Sequence, residues 1–197
     1  MRELLIATNN KGKLVEMRVL FEGAPFTLLG LEDVGISLDV EEPATTFEGN
    51  AIIKAMTYGK LSGKLSLGED SGLEIDALGG RPGVYPKRYA EGTPDNGHSK
   101  IFDEMKKVPD ELRGAQMRSV MAIYDPATEK VRICEGIARG TITREAIGTN
   151  GFGQDPIVRY EENGKTGGEM NMEEKNKVSH RAKALAKARE ILLGEFI

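Results

Sequence analysis

The alternation of apolar and polar positions along the chain predicts a mixture of strands and helices. Near the start, the run ELLIAT is typical of a short buried strand. The segment KLVEMRVLFEG has apolar residues at helical spacing and ends at Gly23, so it predicts a helix. FTLLGLEDVGI predicts a strand followed by a turn, and a second helix is predicted from Thr46 to Leu61.

The rest of the chain continues this alternation. LSLGEDSGLEIDAL predicts a strand, a turn that carries the carboxylates and a second strand, whereas GHSKIFDEMKKVP predicts a helix. A β-hairpin is predicted around DPATEK, and GFGQDPIV is typical of a glycine-rich turn that enters a strand. The last helix follows Ser179, a residue type that is common at helix N-caps. The sum predicts an α/β fold in which helices pack on a mixed sheet.

Length and charge limit the classes of protein that this chain belongs to. Its 197 residues suit one domain or two small lobes that share a core, and the Pro and Gly residues between positions 79 and 97 are a candidate border between lobes. A net charge of −4 disfavours binding to a nucleic-acid backbone. No run approaches the roughly 18 apolar residues of a membrane span. Cys134 is the only cysteine, which excludes an internal disulfide and fits a reducing cytosol.

The first candidate site is TNNKGK, between the first predicted strand and the first predicted helix. Backbone N–H groups at a helix N-terminus favour anions. Gly12 allows the backbone to approach a ligand closely, and Lys11 and Lys13 bring positive charge to the same corner. This combination indicates a polyphosphate site, although the segment lacks the pattern of a P-loop. The alternative is a solvated turn with surface lysines.

The second candidate site is a set of acidic residues. Glu41 and Glu42 precede a proline, and Glu69 and Asp70 precede Ser-Gly, which predicts a turn that presents the Asp70 side chain outward. Clustered carboxylates repel one another unless a cation or a proton joins them. Mg²⁺ prefers oxygen ligands and often takes one or two carboxylates together with substrate phosphates. The acids therefore suggest a magnesium site, and a solvated acidic loop is the alternative.

The third candidate site combines an aromatic ring with basic side chains. Glycines flank Phe152, which frees the backbone to hold its ring against a flat ligand, unless the ring belongs to the core. Lys175 lies in a predicted loop, and His180 and Arg181 open the last predicted helix. These side chains donate hydrogen bonds to carbonyl or phosphate oxygens, or else they only line a helix start. The other histidine, His98, is predicted to be a solvated residue at a helix start.

Taken together and in this order, five segments resemble the inosine/xanthosine triphosphate pyrophosphatases. They span residues 7 to 185 and are ATNNKGKLVEM, EEPATTFEGNAIIKA, EDSGLEIDALGGRPGVYPKRYA, GTITREAIGTNGFGQDPI and EEKNKVSHRAKAL. The resemblance implies an elongated mixed β-sheet with flanking helices, in a single domain over residues 1–197 with two lobes around a central nucleotide cleft. It also implies hydrolysis of ITP, dITP and XTP to the monophosphate and pyrophosphate, with Mg²⁺, by a cytoplasmic homodimer. No nucleic acid or membrane partner is expected.

The resemblance also implies roles for individual residues. The triphosphate would be held by Thr8, Asn9, Asn10, Lys11, Gly12 and Lys13. Glu42 and Asp70 would hold the metal, with Glu41 as the alternative to Glu42, and Asp70 would also accept the proton of the attacking water. Ser71 would contact the nucleotide, and the base site would comprise Phe152, Gly153, Gln154, Asp155, Lys175, His180 and Arg181. The position of Gln154 is often aromatic in such proteins, so the detailed shape of the base site is expected to differ here.

Three other functions remain open at this point. A nucleotide sensor without turnover would need the phosphate and base segments but not the acids, so Asp70 and Glu42 argue against it. A nucleic-acid-binding protein is disfavoured by the net charge of −4 and by an aromatic content of 6%. A pyrophosphatase for pyrimidine or modified nucleotides is the nearest alternative, and a panel of substrates would separate it from the implied activity.

Overall fold

The computed structural model of the chain describes residues 2–196 and contains six strands and six α-helices over that range. The strands are β1 (Arg2–Ala7), β2 (Phe26–Leu29), β3 (Ser66–Ile75), β4 (Gly114–Asp125), β5 (Lys130–Ile142) and β6 (Val158–Tyr160). The helices are α1 (Lys11–Leu20), α2 (Phe47–Ser62), α3 (Pro86–Ala90), α4 (His98–Glu104), α5 (Met172–Val178) and α6 (His180–Glu195). Among residues 2–196, no helix combines the length and the apolar character needed to cross a membrane.

The strands form one mixed sheet in the order β2-β1-β3-β4-β5-β6. Strand β1 pairs in parallel with β2, where Leu4 lies opposite Leu28, and with β3, where Ile6 lies opposite Leu67. Strand β6 pairs antiparallel with β5. The prediction of a mixed α/β sheet with flanking helices is therefore confirmed.

The chain divides into two compact units. The first unit comprises the described residues up to Asp70, Ser119–Gly136 and the described residues from Ala182 onward, and the second comprises Ser71–Arg118 and Ile137–Arg181. The divisions fall inside β3, β4 and β5 and just after the start of α6, so the predicted border at positions 79 to 97 is wrong. The single-domain organisation over residues 1–197 stays a prediction.

The core of the first unit buries both faces of β1. On one face, Leu4 and Ile6 pack in a cluster with Met17 of α1. On the other face, Leu5 packs in a cluster with Tyr58 of α2. A strand that is covered on both sides has a nearly continuous apolar sequence, which is what ELLIAT supplies.

The second unit has its own core. Leu73 and Ile75 from the end of β3 pack there in one cluster with Ile101 and Met105 at α4 and with Tyr160 of β6. The cluster therefore joins the elements that precede and follow the glycine-rich turn at residues 151–155.

Several predicted elements agree closely with the structure. Helix α2 covers Phe47–Ser62, and the Thr46 side chain caps it by accepting a hydrogen bond from the Gly49 N–H. The hairpin around DPATEK is formed by β4 and β5, which are neighbours in the sheet. The first predicted helix is α1, which ends at Leu20, before the predicted end at Gly23.

Two predictions about the site elements are wrong. No turn separates two strands at Glu69 and Asp70, because β3 is continuous through Ser66–Ile75. Lys175 does not lie in a loop, because it belongs to α5. Helix α5 begins with a capping box, in which the side chains of Asn171 and Glu174 each accept a hydrogen bond from the other residue's backbone N–H.

Candidate active site

The turn between β1 and α1 carries the predicted phosphate-binding residues. Asn10 is the N-cap of α1, and its side-chain oxygen accepts a hydrogen bond from the Lys13 N–H at 3.1 Å. The Thr8 hydroxyl accepts a hydrogen bond from the Asn10 N–H at 3.1 Å. Asn9, Asn10 and Lys11 are exposed, and Thr8 is half-buried. The six residues from Thr8 to Lys13 thus form one turn at the start of a ten-residue helix, where backbone N–H groups favour an anion.

The Lys13 ammonium is held by a buried carboxylate. Its Nζ lies 2.7 Å from Oε2 of Glu69, whose side chain is 0% exposed. The Ser119 hydroxyl donates to Oε1 of Glu69 at 2.8 Å. Glu69 therefore fixes the position of Lys13 instead of facing solvent as an acid of a loop would.

Asp70, Lys54 and Glu42 form the second group of charges in the first unit. Lys54 Nζ lies 2.6 Å from Oε2 of Glu42 and 3.2 Å from Oδ1 of Asp70. The Asn50 amide donates to Oδ2 of Asp70 at 3.2 Å, so each carboxylate oxygen of Asp70 has a donor. Asp70 and Lys54 are buried, whereas Glu42 is exposed, and Glu41 beside it is also exposed.

The close approach of α2 to β3 brings these side chains together. A Cβ atom on Gly68 would lie 2.4 Å from the Ala51 carbonyl oxygen, so only glycine allows the strand to lie this close to the helix. Asn50 and Lys54 occupy the face of α2 that also carries buried Ala51 and Ala55. Two polar residues at core-facing positions of a helix are a signal that the sequence offered, and the sequence-based site residues did not include them.

Burial and the neighbouring opposite charges shift the pKa values of Asp70 and Lys54 in opposite directions. Burial raises the pKa of Asp70 above its ordinary value, and the Lys54 and Lys13 ammonium groups oppose that rise. Burial lowers the pKa of Lys54, but the Asp70 and Glu42 carboxylates outweigh it, and the net effect raises the pKa. Lys54 is therefore a permanent cation between the two carboxylates, and Asp70 binds a proton more readily than an exposed aspartate does.

The Tyr58 hydroxyl ties the acidic loop to the phosphate turn. It donates to the Leu38 carbonyl at 3.0 Å and accepts from the Val40 N–H at 3.3 Å and from the Asn9 amide at 3.2 Å. The same Asn9 amide lies 2.8 Å from Oδ1 of Asp39. The loop that leads to Glu42 is thus anchored to α2 and to the turn before α1.

The donor set fits a magnesium ion that is shared with phosphates. Among residues 2–196, no three His, Cys, Asp or Glu side chains converge as a metal cluster. Glu42 and Asp70 supply two carboxylates, and Mg²⁺ is commonly held by one or two carboxylates together with substrate phosphates and water. The residues are suitable for this kind of site and not for a cage built from protein ligands alone.

In the second unit, the predicted base-binding residues surround Phe152. The Lys175 Nζ lies 5.0 Å from the centre of the Phe152 ring, and the guanidinium carbon of Arg181 lies 5.6 Å from it. Lys175 also forms a buried ion pair with Asp155, with 2.6 Å between Nζ and Oδ2. The same carboxylate oxygen accepts a hydrogen bond from the Phe152 N–H at 2.7 Å. Asp155 therefore fixes both the backbone of Phe152 and the lysine beside its ring.

The remaining predicted residues of this group are also placed by the second unit. The Arg181 guanidinium donates to the Ser71 hydroxyl at 3.1 Å. His180 is buried and begins α6. Gly153 accepts a hydrogen bond through its carbonyl oxygen from the His98 ring at 2.9 Å, and the Gln154 amide donates to the Asn96 carbonyl at 3.0 Å.

His98 differs from its prediction. It does begin a helix, but it is buried and hydrogen bonded, so the prediction of a solvated residue is wrong. Its partner Gly153 lies 55 positions away in the chain, and such a contact leaves no local signal in the sequence. Five residues that support the two clusters were therefore absent from the predicted site: Asn50, Lys54, Tyr58, His98 and Ser119.

These features define a mixed α/β protein that combines carboxylates and lysines in one unit with an aromatic ring and cations in the other. The chain belongs to the Ham1 family, whose model matches residues 4–191. It is 43% identical to the dITP/XTP pyrophosphatase of Bacillus licheniformis over 195 residues, which are 98% of each chain. It is 41% identical to the dITP/XTP pyrophosphatase of Bacillus subtilis over 194 residues, again 98% of each.

A solved structure supports the same assignment. The HAM1 protein of Coxiella burnetii superposes with a TM-score of 0.88 at 35% identity, which covers 98% of this chain and 99% of that one. The family resemblance predicted from the five sequence segments is therefore confirmed.

Proposed function

We propose that this chain is a nucleoside triphosphate pyrophosphatase that hydrolyses dITP, ITP and XTP to the monophosphate and pyrophosphate. The similar Bacillus proteins carry the name dITP/XTP pyrophosphatase. The observation that carries the proposal is the group formed by Asp70, Lys54 and Glu42, in which a buried carboxylate lies beside a fixed cation and a second acid. This group offers the proton acceptor, the positive charge and the metal ligands that phosphoryl transfer uses.

In this proposal the first unit takes the triphosphate. The N-terminus of α1 presents backbone N–H groups, and Lys13 adds a positive charge that Glu69 holds in place. Groups that are fixed before the substrate binds stabilise developing charge without having to reorganise. Thr8 to Gly12 supply the rest of the turn.

Glu42 and Asp70 would hold Mg²⁺, which neutralises charge on the phosphate oxygens when it is bound. In the structure, one oxygen of each carboxylate contacts Lys54. Lys54 therefore balances the same charge that the ion would balance, and its contacts would compete with the ion for these two oxygens. Glu42 is favoured over the neighbouring Glu41 as the ligand because it reaches the same cation as Asp70.

Asp70 is the proposed proton acceptor for the water that attacks the α-phosphorus. Burial raises its pKa, so it accepts a proton more readily than an exposed aspartate. Asn50 and Lys54 each hold one oxygen of its carboxylate and so fix its orientation. A fixed base at the right distance contributes to rate through positioning as well as through proton transfer.

The second unit is proposed to take the base. The Phe152 ring offers a stacking surface, and the cations of Lys175 and Arg181 lie beside it. Hypoxanthine and xanthine present an oxygen at the 6-position, which accepts hydrogen bonds from such donors. Adenine presents an amino group there, which would face unpaired donors, and a site built on hydrogen bonds rejects such a mismatch strongly. Ser71, Gly153, Gln154, Asp155 and His180 complete the proposed site.

The test is pyrophosphate release from dITP, ITP, XTP, ATP and GTP, each with Mg²⁺ and with EDTA. We expect release from the first three with Mg²⁺, at kcat/KM values roughly 100-fold or more above that for ATP, and none with EDTA. GTP shares the oxygen at the 6-position, so it tests whether a contact at the 2-position adds to the selection. Faster release from pyrimidine triphosphates would assign the chain to a different nucleotide class. Binding without release would make it a sensor. A homodimer and a cytoplasmic location stay predictions from the family resemblance.

A further inference from the structure

Two side-chain hydrogen bonds fasten the turn that carries Phe152 to the segment where α4 begins. The His98 Nε2 donates to the Gly153 carbonyl at 2.9 Å, and the Gln154 Nε2 donates to the Asn96 carbonyl at 3.0 Å. Each segment thus supplies one side-chain donor and one backbone acceptor to the other. We call this pair of bonds the clasp.

The α4 side of the clasp is firmly held. The Gly97 N–H donates to the Thr93 hydroxyl at 2.9 Å, and the Ser99 N–H donates to a carboxylate oxygen of Asp95 at 2.8 Å. His98 is 8% exposed, and Ile101 in the next turn of the helix is 0% exposed. This side is therefore held by local hydrogen bonds and by the burial of His98 and Ile101 in the second unit.

The Phe152 side has a glycine on each side of the ring. Gly151 and Gly153 both have positive φ angles, 73° and 60°, and glycine in this region has many accessible conformations. Asp155 fixes the Phe152 N–H with its side chain and the Phe152 carbonyl with its backbone N–H at 3.3 Å, and the clasp fastens the next peptide, between Gly153 and Gln154. The clasp therefore adds two side-chain hydrogen bonds to the part of the turn that follows the ring.

The Gln154 side chain supports a positioning role because only one of its two polar atoms has a hydrogen-bond partner among residues 2–196. Its Nε2 donates to Asn96, while its Oε1 is buried and accepts no hydrogen bond from residues 2–196. A buried acceptor without a donor lowers stability. The contribution of this residue is therefore the bond to Asn96 and not a gain in stability.

We propose that His98 and Gln154 are positioning residues that set the affinity for the purine base and the discrimination against adenine, by holding Phe152 in the orientation that faces Lys175 and Arg181. This inference rests on the proposed function of the chain as a purine triphosphate pyrophosphatase. Neither residue is required to take part in the chemistry, because the proposed proton acceptor and phosphate cations, Asp70, Lys13 and Lys54, belong to the first unit.

The experiment uses four variants of the full chain. Gln154→Met keeps the side-chain length but removes the donor, and His98→Ala removes the other donor. His98→Gln is the conservative rescue, because a glutamine amide reaches about as far as the Nε2 of histidine. Ser99→Ala is the matched control, since Ser99 is exposed at the same helix start and its hydroxyl donates to the Asp95 carboxylate and not to a partner in the clasp.

Steady-state kinetics with dITP and ATP give the first readout. We expect Gln154→Met and His98→Ala to raise KM for dITP roughly 5- to 10-fold, the effect of about one lost hydrogen bond, while kcat changes less than about twofold. The ratio of kcat/KM for dITP over ATP falls by a similar factor. His98→Gln and Ser99→Ala keep values close to those of the unaltered chain.

Two further measurements separate positioning from a structural role. Gln154→Met removes a buried unpaired oxygen as well as a bond, and the Asn96 carbonyl is left near solvent, so its melting temperature should not fall. Hydrogen exchange of the peptide containing residues 151–155 should be faster in both variants, with β4 unchanged. The rise in KM for dITP in the double variant should be smaller than the product of the two single rises, because both bonds hold one turn.

Unchanged KM and unchanged base preference in Gln154→Met would overturn the inference and leave the proposed function intact. This variant carries the test alone if His98→Ala does not fold. If the unaltered chain releases no pyrophosphate from any purine triphosphate, the proposed function and the inference fail together.

Discussion

The two clusters hold their key side chains by different means. In the first unit, Asp70 lies in the middle of strand β3 and Lys54 lies within helix α2, so regular backbone sets both positions. In the second unit, Phe152 lies on a turn between two glycines of positive φ, and side-chain hydrogen bonds set its position. A group that transfers a proton needs accurate placement, whereas a ring that stacks on a base tolerates more adjustment. We therefore expect changes in the first cluster to lower kcat and changes in the second to raise KM.

The largest expected effect comes from Asp70→Asn. The amide has the same shape and still offers an oxygen to Lys54, so the fold should persist, but it does not accept a proton from water. We expect kcat for dITP to fall roughly 10³-fold, within the range of lost general-base catalysis, with little change in KM. Stopped assays of pyrophosphate release measure this.

Circular dichroism melting controls for the fold of Asp70→Asn. A folded variant with near-normal turnover would remove Asp70 from the role of proton acceptor. It would also contradict the expectation that changes in the first cluster lower kcat.

Lys54→Met tests the charge balance of the first cluster. Removing the cation leaves the Asp70 carboxylate buried beside Glu42, and breaking a buried pair costs about 3 kcal/mol of unfolding free energy. The Glu42 side chain is 38% exposed, so its contact with Lys54 is weakened by solvent. The side chains of Asp70 and Lys54 are 11% and 10% exposed, so their contact accounts for most of the lost unfolding free energy. Urea unfolding at pH 7 measures the change.

The pH dependence of Lys54→Met has a defined sign. Burial already raises the pKa of Asp70 and Lys54 opposes that rise, so the variant has a still higher pKa in the folded state only. The folded state then binds more protons than the unfolded state, and its stability increases as the pH falls toward the unfolded pKa. Urea unfolding at pH 5 should therefore recover part of the loss relative to the unaltered chain. No recovery would mean that the carboxylate is solvated in the variant.

Phe152→Ala tests the second cluster. Loss of the ring removes a stacking surface worth about 1–3 kcal/mol, so we expect KM for dITP to rise roughly 10- to 100-fold while kcat changes little. Phe152→Tyr keeps the ring and serves as the matched variant. A fall in kcat equal to the fall in kcat/KM would place the ring in the transition state and would contradict the division between the clusters.

Local sequence signals predicted most of the fold. The spacing of apolar residues located α1 and α2, and the turn residues in DPATEK located the hairpin of β4 and β5. The segment EDSG was assigned a turn because Ser-Gly favours turns, but it lies within β3, which neighbours β4 in the sheet and runs unbroken from Ser66 to Ile75. The border between the units could not be predicted because it falls inside three strands, where composition does not change.

The candidate site was predictable only where its residues have local signals. Lys175 was assigned to a loop although Asn171 and Glu174 form a capping box that the sequence contains. Lys54 was missed because the polar residue on a buried helix face was not considered. The link from His98 to Gly153 depends on tertiary structure alone. Gln154, noted as a departure from the usual aromatic residue, now has a proposed role through its bond to Asn96.

Tyr58→Phe gives the smallest expected effect and sharpens the comparison inside the first unit. Removing the hydroxyl frees the Leu38 carbonyl, the Val40 N–H and the Asn9 amide from one shared partner. The ring stays in the core, so the cost should be about 1 kcal/mol of unfolding free energy.

Because the loosened loop leads to Glu42, we also expect the Mg²⁺ concentration for half-maximal activity to rise about fivefold, while activity at saturating Mg²⁺ stays close to normal. Ser62→Ala is the control, because its hydroxyl donates to the Tyr58 carbonyl and accepts from the Lys64 N–H, and neither partner belongs to the acidic loop. A magnesium titration that is the same in both variants would show that the acidic loop is held by its other contacts, and then the accurate placement of the first cluster would belong to β3 and α2 alone.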